Sequence, residues 1–241
     1  MDPIVVNNLS FSYDGGPPVL REISFTVREG EMLVIAGESG SGKTTLCRIL
    51  CGIIPHAIKG DVSGEAKVMD IYPSSAGITQ TAQRVGMSFQ DADSQIICTT
   101  VEDELAFGLE NLNKPRTEIR RRVDELMYEY GFDDCHENPA RLSDGRKKLL
   151  TIAAALAASP PVLLLDEPLN GLDSDARELI ISTIERQKRQ GQTIVIVEHD
   201  LKATDFADRW LLLHNGSIAL SGDPAELLKD ERRLVDLGVW A

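Results

Sequence analysis

One stretch constrains this chain more than any other: Gly37-Glu38-Ser39-Gly40-Ser41-Gly42-Lys43-Thr44. Glycine reaches backbone conformations closed to other residues, so this segment can curl until successive N–H groups converge on one point. The apolar run Met32–Ile35 precedes it, and Leu46, Ile49, Leu50 and Ile53 follow at helical spacing. A strand, a glycine-rich turn of pattern GxxxxGK[ST] and a helix together make a phosphate cradle. The backbone amides meet the β-phosphate and the helix adds its positive end. Lys43 is placed to reach the β- and γ-phosphates and the Thr44 hydroxyl to ligate Mg²⁺. Gly37, Ser39, Gly40, Ser41, Gly42, Lys43, Thr44 and the adjoining Thr45 are therefore candidate nucleotide ligands.

A second feature matches the first. Val162–Leu165 is an apolar strand that ends in Asp166 and Glu167. A buried strand of this kind delivers Asp166 to Mg²⁺, through water, at the carboxyl edge of a sheet. Glu167 is then placed to polarise an attacking water. Around this strand the pattern alternates: a helix from about Ser143 to Ala158, a helix near Ser174–Arg189, the strand Thr193–Val197 and a helix near Leu201–Ala207. Continuously apolar strands between helices predict a parallel sheet covered on both faces. Trp210–His214 and Ser217–Leu220 flank Asn215-Gly216, a hairpin signal. Upstream, Ile4–Val6, Ser10–Tyr13 and Ser24–Val27 read as strands around a turn at Asp14–Pro18, with short strands at Glu65–Met69 and Val85–Phe89. Residues 99–131 are expected to be helical throughout. Thr100-Val101-Glu102-Asp103 forms a capping box in which hydroxyl and carboxylate each satisfy a backbone N–H. An apolar stripe through Ile119, Val123, Leu126, Met127 and Tyr130 runs to Gly131.

The net charge of −13 weighs against general binding to nucleic acid or anionic lipid, while leaving room for a local phosphate site. The longest apolar stretch, Leu149–Ala158, is too short to span a bilayer. Met1-Asp2-Pro3 lacks a basic start and an apolar signal core, so export is not expected. Cys47 and Cys51, one helical turn apart with no CxxC pair in the chain, read as reduced, packed thiols.

With these motifs in this order, the chain resembles the ATP-binding-cassette ATPases over essentially its whole length. The resemblance implies an α/β P-loop ATP-binding-cassette fold with an N-terminal antiparallel β-subdomain and a helical insert at about 91–157, all within one domain spanning 1–241. It assigns Tyr13, in Phe11-Ser12-Tyr13, to stacking on adenine, and Gln90, in Met87-Ser88-Phe89-Gln90, to Mg²⁺, water and the transmembrane partner. Leu142-Ser143-Asp144-Gly145-Arg146 resembles the signature, usually LSGGQ, whose Ser143 and Gly145 would cap the ATP held by the opposite subunit. Asn170-Gly171-Leu172-Asp173 resembles the loop along the dimer seam, with Asp173 a candidate contact, and His199 the switch histidine that touches the γ-phosphate. His56, His136 and His214 read as structural or solvated. The implied activity is ATP hydrolysis with ATP and Mg²⁺, carried by Glu167, His199 and Gln90. The implied partners are a second cassette subunit, identical or homologous, and a multi-span membrane subunit, with no nucleic acid. The implied place is the cytoplasmic face of the cell membrane.

A finer resemblance rests on Phe89–Ile96 and Thr100–Gly108, supported by Gly52–His56 and Val62–Glu65. These stretches are similar to the ATPases of energy-coupling-factor importers, which bring vitamins or transition-metal ions into prokaryotic cells. Soluble cassette ATPases of chromosomes and DNA repair resemble this chain at the motifs but insert a long coiled coil between glutamine loop and signature. Gln90 and Ser143 are too close in sequence for one. A regulatory or assembly cassette with little hydrolysis stays open, because the signature departs from its pattern. Asp144 stands in place of glycine: it favours its own helix N-terminus by about 0.3–1 kcal/mol, yet carries negative charge toward a phosphate. Arg146, Lys147 and Lys148 follow, and either keep the local field positive or, through Arg146, pair with Asp144.

Overall fold

The protein is described by a computed structural model covering residues 2–199 and 201–240. The chain opens with β1 (Ile4–Ser12) and β2 (Pro18–Val27), an antiparallel pair joined by the turn at residues 14–17. β3 (Met32–Gly37) leads through the glycine-rich loop into α1 (Lys43–Leu50). β4 (Asp61–Val68) returns to β1, so the first sheet has the order β2-β1-β4. β5 (Val85–Ser88) then opens onto the helices α2 (Val101–Asn111), α3 (Arg116–Tyr130) and α4 (Asp144–Leu156). β6 (Val162–Asp166), α5 (Ser174–Arg189), β7 (Thr193–Glu198), β8 (Arg209–His214) and β9 (Ser217–Gly222) follow. The second sheet runs β5-β6-β7-β3-β8-β9, parallel throughout except for the closing β8–β9 pair.

Two cores explain why the central strands read as continuously apolar. Along β3, Met32, Val34 and Ala36 face one core, with Leu149 and Ile152 of α4 and Ile180 and Ile184 of α5. The alternate residues Leu33 and Ile35 face the other, with Leu46, Ile49 and Leu50 of α1 and Ile4, Val6 and Leu9 of the first sheet. Successive strand side chains point to opposite faces, so a sheet covered on both sides needs an apolar residue at every position. Cys47 and Cys51 are both free and buried in the second of these cores.

Several expectations change in detail. Residues 99–131 are not one helix: Asn113 takes a left-handed φ of 55° and Pro115 sits at the N-cap of α3, which separates α2 from α3. Proline disfavours helical backbone in the residue before it, which accounts for the break. The capping box is half as expected. Thr100 Oγ1 accepts from Asp103 N at 3.1 Å, but the Asp103 carboxylate takes the Thr100 hydroxyl proton at 2.6 Å instead of a backbone N–H. β1 is one strand in place of two, with Asn8 at φ 47° and a register shift between Val6 and Leu9. The strand expected at Glu65–Met69 begins earlier, at Asp61, and excludes Met69. The helix expected at Leu201–Ala207 shrinks to a 3-10 turn, Leu201–Ala203. There Thr204 Oγ1 donates to the Leu201 carbonyl and Trp210 Nε1 to the Thr204 carbonyl, a side-chain alternative to helical bonding. Short helices at Pro224–Leu227 and Glu231–Asp236, outside every sequence-based expectation, bring Leu234 and Val239 into the first core.

Candidate functional site

The loop between β3 and α1 needs its glycines for two separate reasons. Gly42 has φ 104°, and a Cβ there would lie 2.6 Å from Leu20 Cδ2. A Cβ on Gly37 would collide with the Leu213 carbonyl oxygen. Gly42 is the N-cap of α1 and offers no side-chain cap, so the first-turn N–H groups stay available to an anion. Lys43 is only 5% exposed, and its Nζ donates to the carbonyls of Gly37 at 2.7 Å and Glu38 at 2.9 Å. Burial lowers its pKa, while Glu167, Asp166 and Glu198 draw it back up. Ser41 Oγ is buried without a hydrogen-bond partner among the described residues, and Ser39 and Gly40 form the exposed tip. A buried hydroxyl in this state fits a phosphate oxygen as its acceptor.

Next to the loop, Thr44 Oγ1 donates to Asp166 Oδ1 at 3.4 Å. Asp166 closes β6 at 2% exposure. Burial raises its pKa, the Thr44 hydrogen bond opposes the rise, and Glu167 adds to it. Glu167 itself has φ 47°, a conformation that costs a non-glycine residue about 1–2 kcal/mol. Its N–H is held by the Val197 carbonyl at 2.9 Å. Its Oε2 accepts from Gln90 Nε2 at 2.7 Å and from Asn170 Nδ2 at 3.0 Å, so two loops aim this carboxylate. Tyr13 closes the opposite side, with its hydroxyl 3.0 Å from Thr45 Oγ1 and its ring edge-on to Phe11 at 4.8 Å. Tyr13, Gly40, Lys43, Thr44, Gln90 and Glu167 line one cleft of about 390 Å³. Hydroxyl, carboxylate and carboxamide oxygens from Thr44, Asp166 and Gln90 border a neighbouring cavity. These are hard donors of the kind Mg²⁺ takes, so the residues present fit that ion.

His199, Ser143, Gly145 and Asp173 lie outside the lining of that cleft. His199 follows β7, its side chain 52% exposed, with Nδ1 3.8 Å from Glu198 Oε2; Asp200, the next residue, is outside the described residues. Asp173 caps α5, accepting from Ala176 N at 2.8 Å. Ser143 caps α4, accepting from Arg146 N at 3.4 Å. Gly145 is pressed against α5, where a Cβ would collide with the Ala176 side chain.

The basic run after Asp144 departs from one of the two expectations for it, the pairing of Arg146 with Asp144. Arg146 donates to the Tyr130 carbonyl at 3.0 Å and the Gly131 carbonyl at 2.5 Å, and lies 4.3 Å over the Phe132 ring. Lys147 pairs with Asp93 at 2.7 Å. Lys148, 3% exposed, donates to the Phe89 and Gln90 carbonyls at 2.8 Å each. All three cations are committed within the chain, and among the described residues no ion pair joins Arg146 to Asp144.

Sequence reasoning took Lys148 only as part of a basic run and passed over Glu198. Lys148 falls beside the apolar residues Leu149, Leu150 and Ile152, a position that already signals a buried ammonium. Glu198 ends an apolar strand just as Asp166 does, the same signal that picked out Asp166.

Comparison with known proteins agrees with this geometry. The family model described as ABC transporter matches residues 20–170. The energy-coupling factor transporter ATP-binding protein EcfA of Enterococcus faecium is 36% identical over 244 residues, covering 99% of this chain and 86% of that protein. The structure of cbiO1 from Clostridium perfringens, part of the ABC transporter complex cbiONQ, superposes with a TM-score of 0.82 at 32% identity, covering 98% of this chain and 97% of that one. A dimeric ATP-binding cassette in a post-hydrolysis state, bound to ADP and Pi, gives a TM-score of 0.78 at 25% identity, covering 92% and 98%. A loop built to hold phosphates, two carboxylates at the end of β6 and a match that spans the chain lead to one family: this protein belongs to the ABC transporters, as one of their ATP-binding, ATP-hydrolysing subunits.

Proposed function

We propose that this chain is the ATPase of an energy-coupling-factor importer for a vitamin or a transition-metal ion, acting as one cassette domain over 1–241 with its helical insert at 91–157. The observation that carries the chemistry is Glu167, held by Gln90 and Asn170 beside the Lys43–Thr44–Asp166 cluster. In this reading Tyr13 stacks on adenine, while the amides at the start of α1, Ser41 and Lys43 take the phosphates. Thr44, Asp166 and Gln90 would hold Mg²⁺, which would supply neutralisation of the phosphate charge. Glu167 accepts a proton from the attacking water as its oxygen bonds the γ-phosphorus and the bond from that phosphorus to the β–γ bridging oxygen breaks, releasing ADP and phosphate, while His199 donates to a γ-phosphate oxygen. Ser143, Gly145 and Asp173 act at the seam with a second cassette, identical or homologous, whose ATP the signature caps. The dimeric ADP-bound relative and the EcfA relative support this assembly.

Support for a membrane partner comes from a groove of about 430 Å³ beside the glutamine loop. Ile78 and Phe107, 45% and 40% exposed, border it together with Met87, three residues before Gln90. Such a site suits a short apolar segment of a multi-span membrane subunit, which would hold the chain at the cytoplasmic face. No helix among the described residues is long and apolar enough to cross a membrane. The test is co-expression with that membrane subunit. Phe107→Glu is expected to retain nucleotide binding and lose co-purification; undiminished co-purification together with ATP-independent transport by the complex would remove the reading.

A further inference from the structure

Glu198 is the last residue of β7 and directly precedes His199. It is 2% exposed. A buried carboxylate is costly unless partners compensate it, and the partners here are specific. Glu198 Oε1 accepts from Leu169 N at 3.0 Å, at the root of the loop that runs through Asn170 to Asp173. The other oxygen, Oε2, lies 3.8 Å from His199 Nδ1. One carboxylate thus hydrogen-bonds the root of the seam loop and lies beside the histidine, within ion-pair range but not hydrogen-bond distance of Nδ1.

Which proton an imidazole presents at one nitrogen depends on what faces the other. A carboxyl group beside Nδ1 restrains the orientation of the ring and leaves Nε2 free to face a ligand. The geometry points to Glu198 as a positioning residue for ATP hydrolysis: it orients His199 through Nδ1, so that Nε2–H meets the γ-phosphate, and it fixes the root of the seam loop through Leu169. This rests on the hydrolysis reading above. Burial pushes the Glu198 pKa up to about 7, an effect that the Leu169 N–H opposes and the neighbouring Glu167 charge reinforces.

The test uses the full chain with Glu198→Gln, His199→Ala, the double variant and Glu167→Gln as control. Glutamine is nearly isosteric and its amide oxygen still accepts from Leu169 N–H, so the fold is kept while the charge facing His199 is lost. Retained affinity for a fluorescent ATP analogue verifies this. The expected result is a kcat for Glu198→Gln about tenfold below wild type, with KM for ATP within about twofold. The double variant should turn over no more slowly than His199→Ala alone, because Glu198 acts through that ring. Turnover of Glu198→Gln within about twofold of wild type, or losses that multiply in the double variant, overturn the inference while Glu167→Gln stays inactive. An active Glu167→Gln would instead remove the hydrolysis reading beneath it.

Discussion

The phosphate loop and the signature helix are built from similar residues and use their cations in opposite ways. Among the described residues, Lys43 bonds only to the carbonyls of its own loop, a few residues upstream. An incoming phosphate can take over those bonds without dismantling any other element. Arg146, Lys147 and Lys148 each tie α4 to a different place: the end of α3, Asp93 and the glutamine loop. Their charge holds the fold together, and the exposed tip of the helix carries Ser143 and Asp144. Having the same residue types near a phosphate is therefore not the same as having their charge available to it.

The largest effect expected on the loop side is from Lys43→Ala. A buried cation facing developing charge has no replacement in the cleft, so nucleotide binding should fall by two orders of magnitude or more, roughly 3 kcal/mol. Titration with a fluorescent ATP analogue measures it; unchanged affinity would erase the contrast. On the helix side, Lys148→Met should leave ATP contacts in place but strand two partly buried carbonyls, costing about 1–3 kcal/mol of folding stability. Denaturant unfolding reads this directly. A stable Lys148→Met with impaired nucleotide binding would mean that the helix, like the loop, holds charge for the ligand. Tyr13→Ala should weaken ATP binding by about 1–3 kcal/mol, and Tyr13→Trp should largely retain it. Equal affinity in both would return Tyr13 to packing against Phe11 and Thr45.

The smallest and sharpest test is Asp144→Gly. It removes a carboxylate from the first turn of α4, costing about 0.3–1 kcal/mol of helix stability. It should nevertheless strengthen ATP-driven dimerisation in a Glu167→Gln background, and raise turnover when Glu167 is intact, because among the described residues no ion pair ties Arg146 or Lys147 to the acid. The gain should fade as salt shortens the reach of repulsion to about 8–10 Å. Sedimentation with ATP across a salt series checks it, and no change at low salt would show that the departure from the signature is silent.

These tests bear unequally on what was legible in the sequence. The phosphate loop and the Asp166-Glu167 strand end were legible because backbone chemistry dictates them: glycine where φ is positive, a hydroxyl and a lysine at fixed steps, carboxylates at a strand terminus. The parallel sheet was legible from the unbroken apolar runs of β6 and β7. The destinations of Arg146, Lys147 and Lys148 were not, since they end on carbonyls and a carboxylate far away in sequence, which only the packing of α3, α4 and the glutamine loop brings within reach. Glu198 was obscured by its neighbour, because the histidine drew the functional reading. The break between α2 and α3 was written in Asn113 and Pro115 and outweighed by the apolar stripe on either side.

The central claim is that Glu167 performs hydrolysis in a cleft whose binding groups are separate from it. Glu167→Gln tests that most directly, with ATP affinity and steady-state turnover measured on the same preparation. The account predicts affinity within about twofold of wild type and turnover lower by about 100-fold or more. Turnover within about twofold of wild type would contradict it.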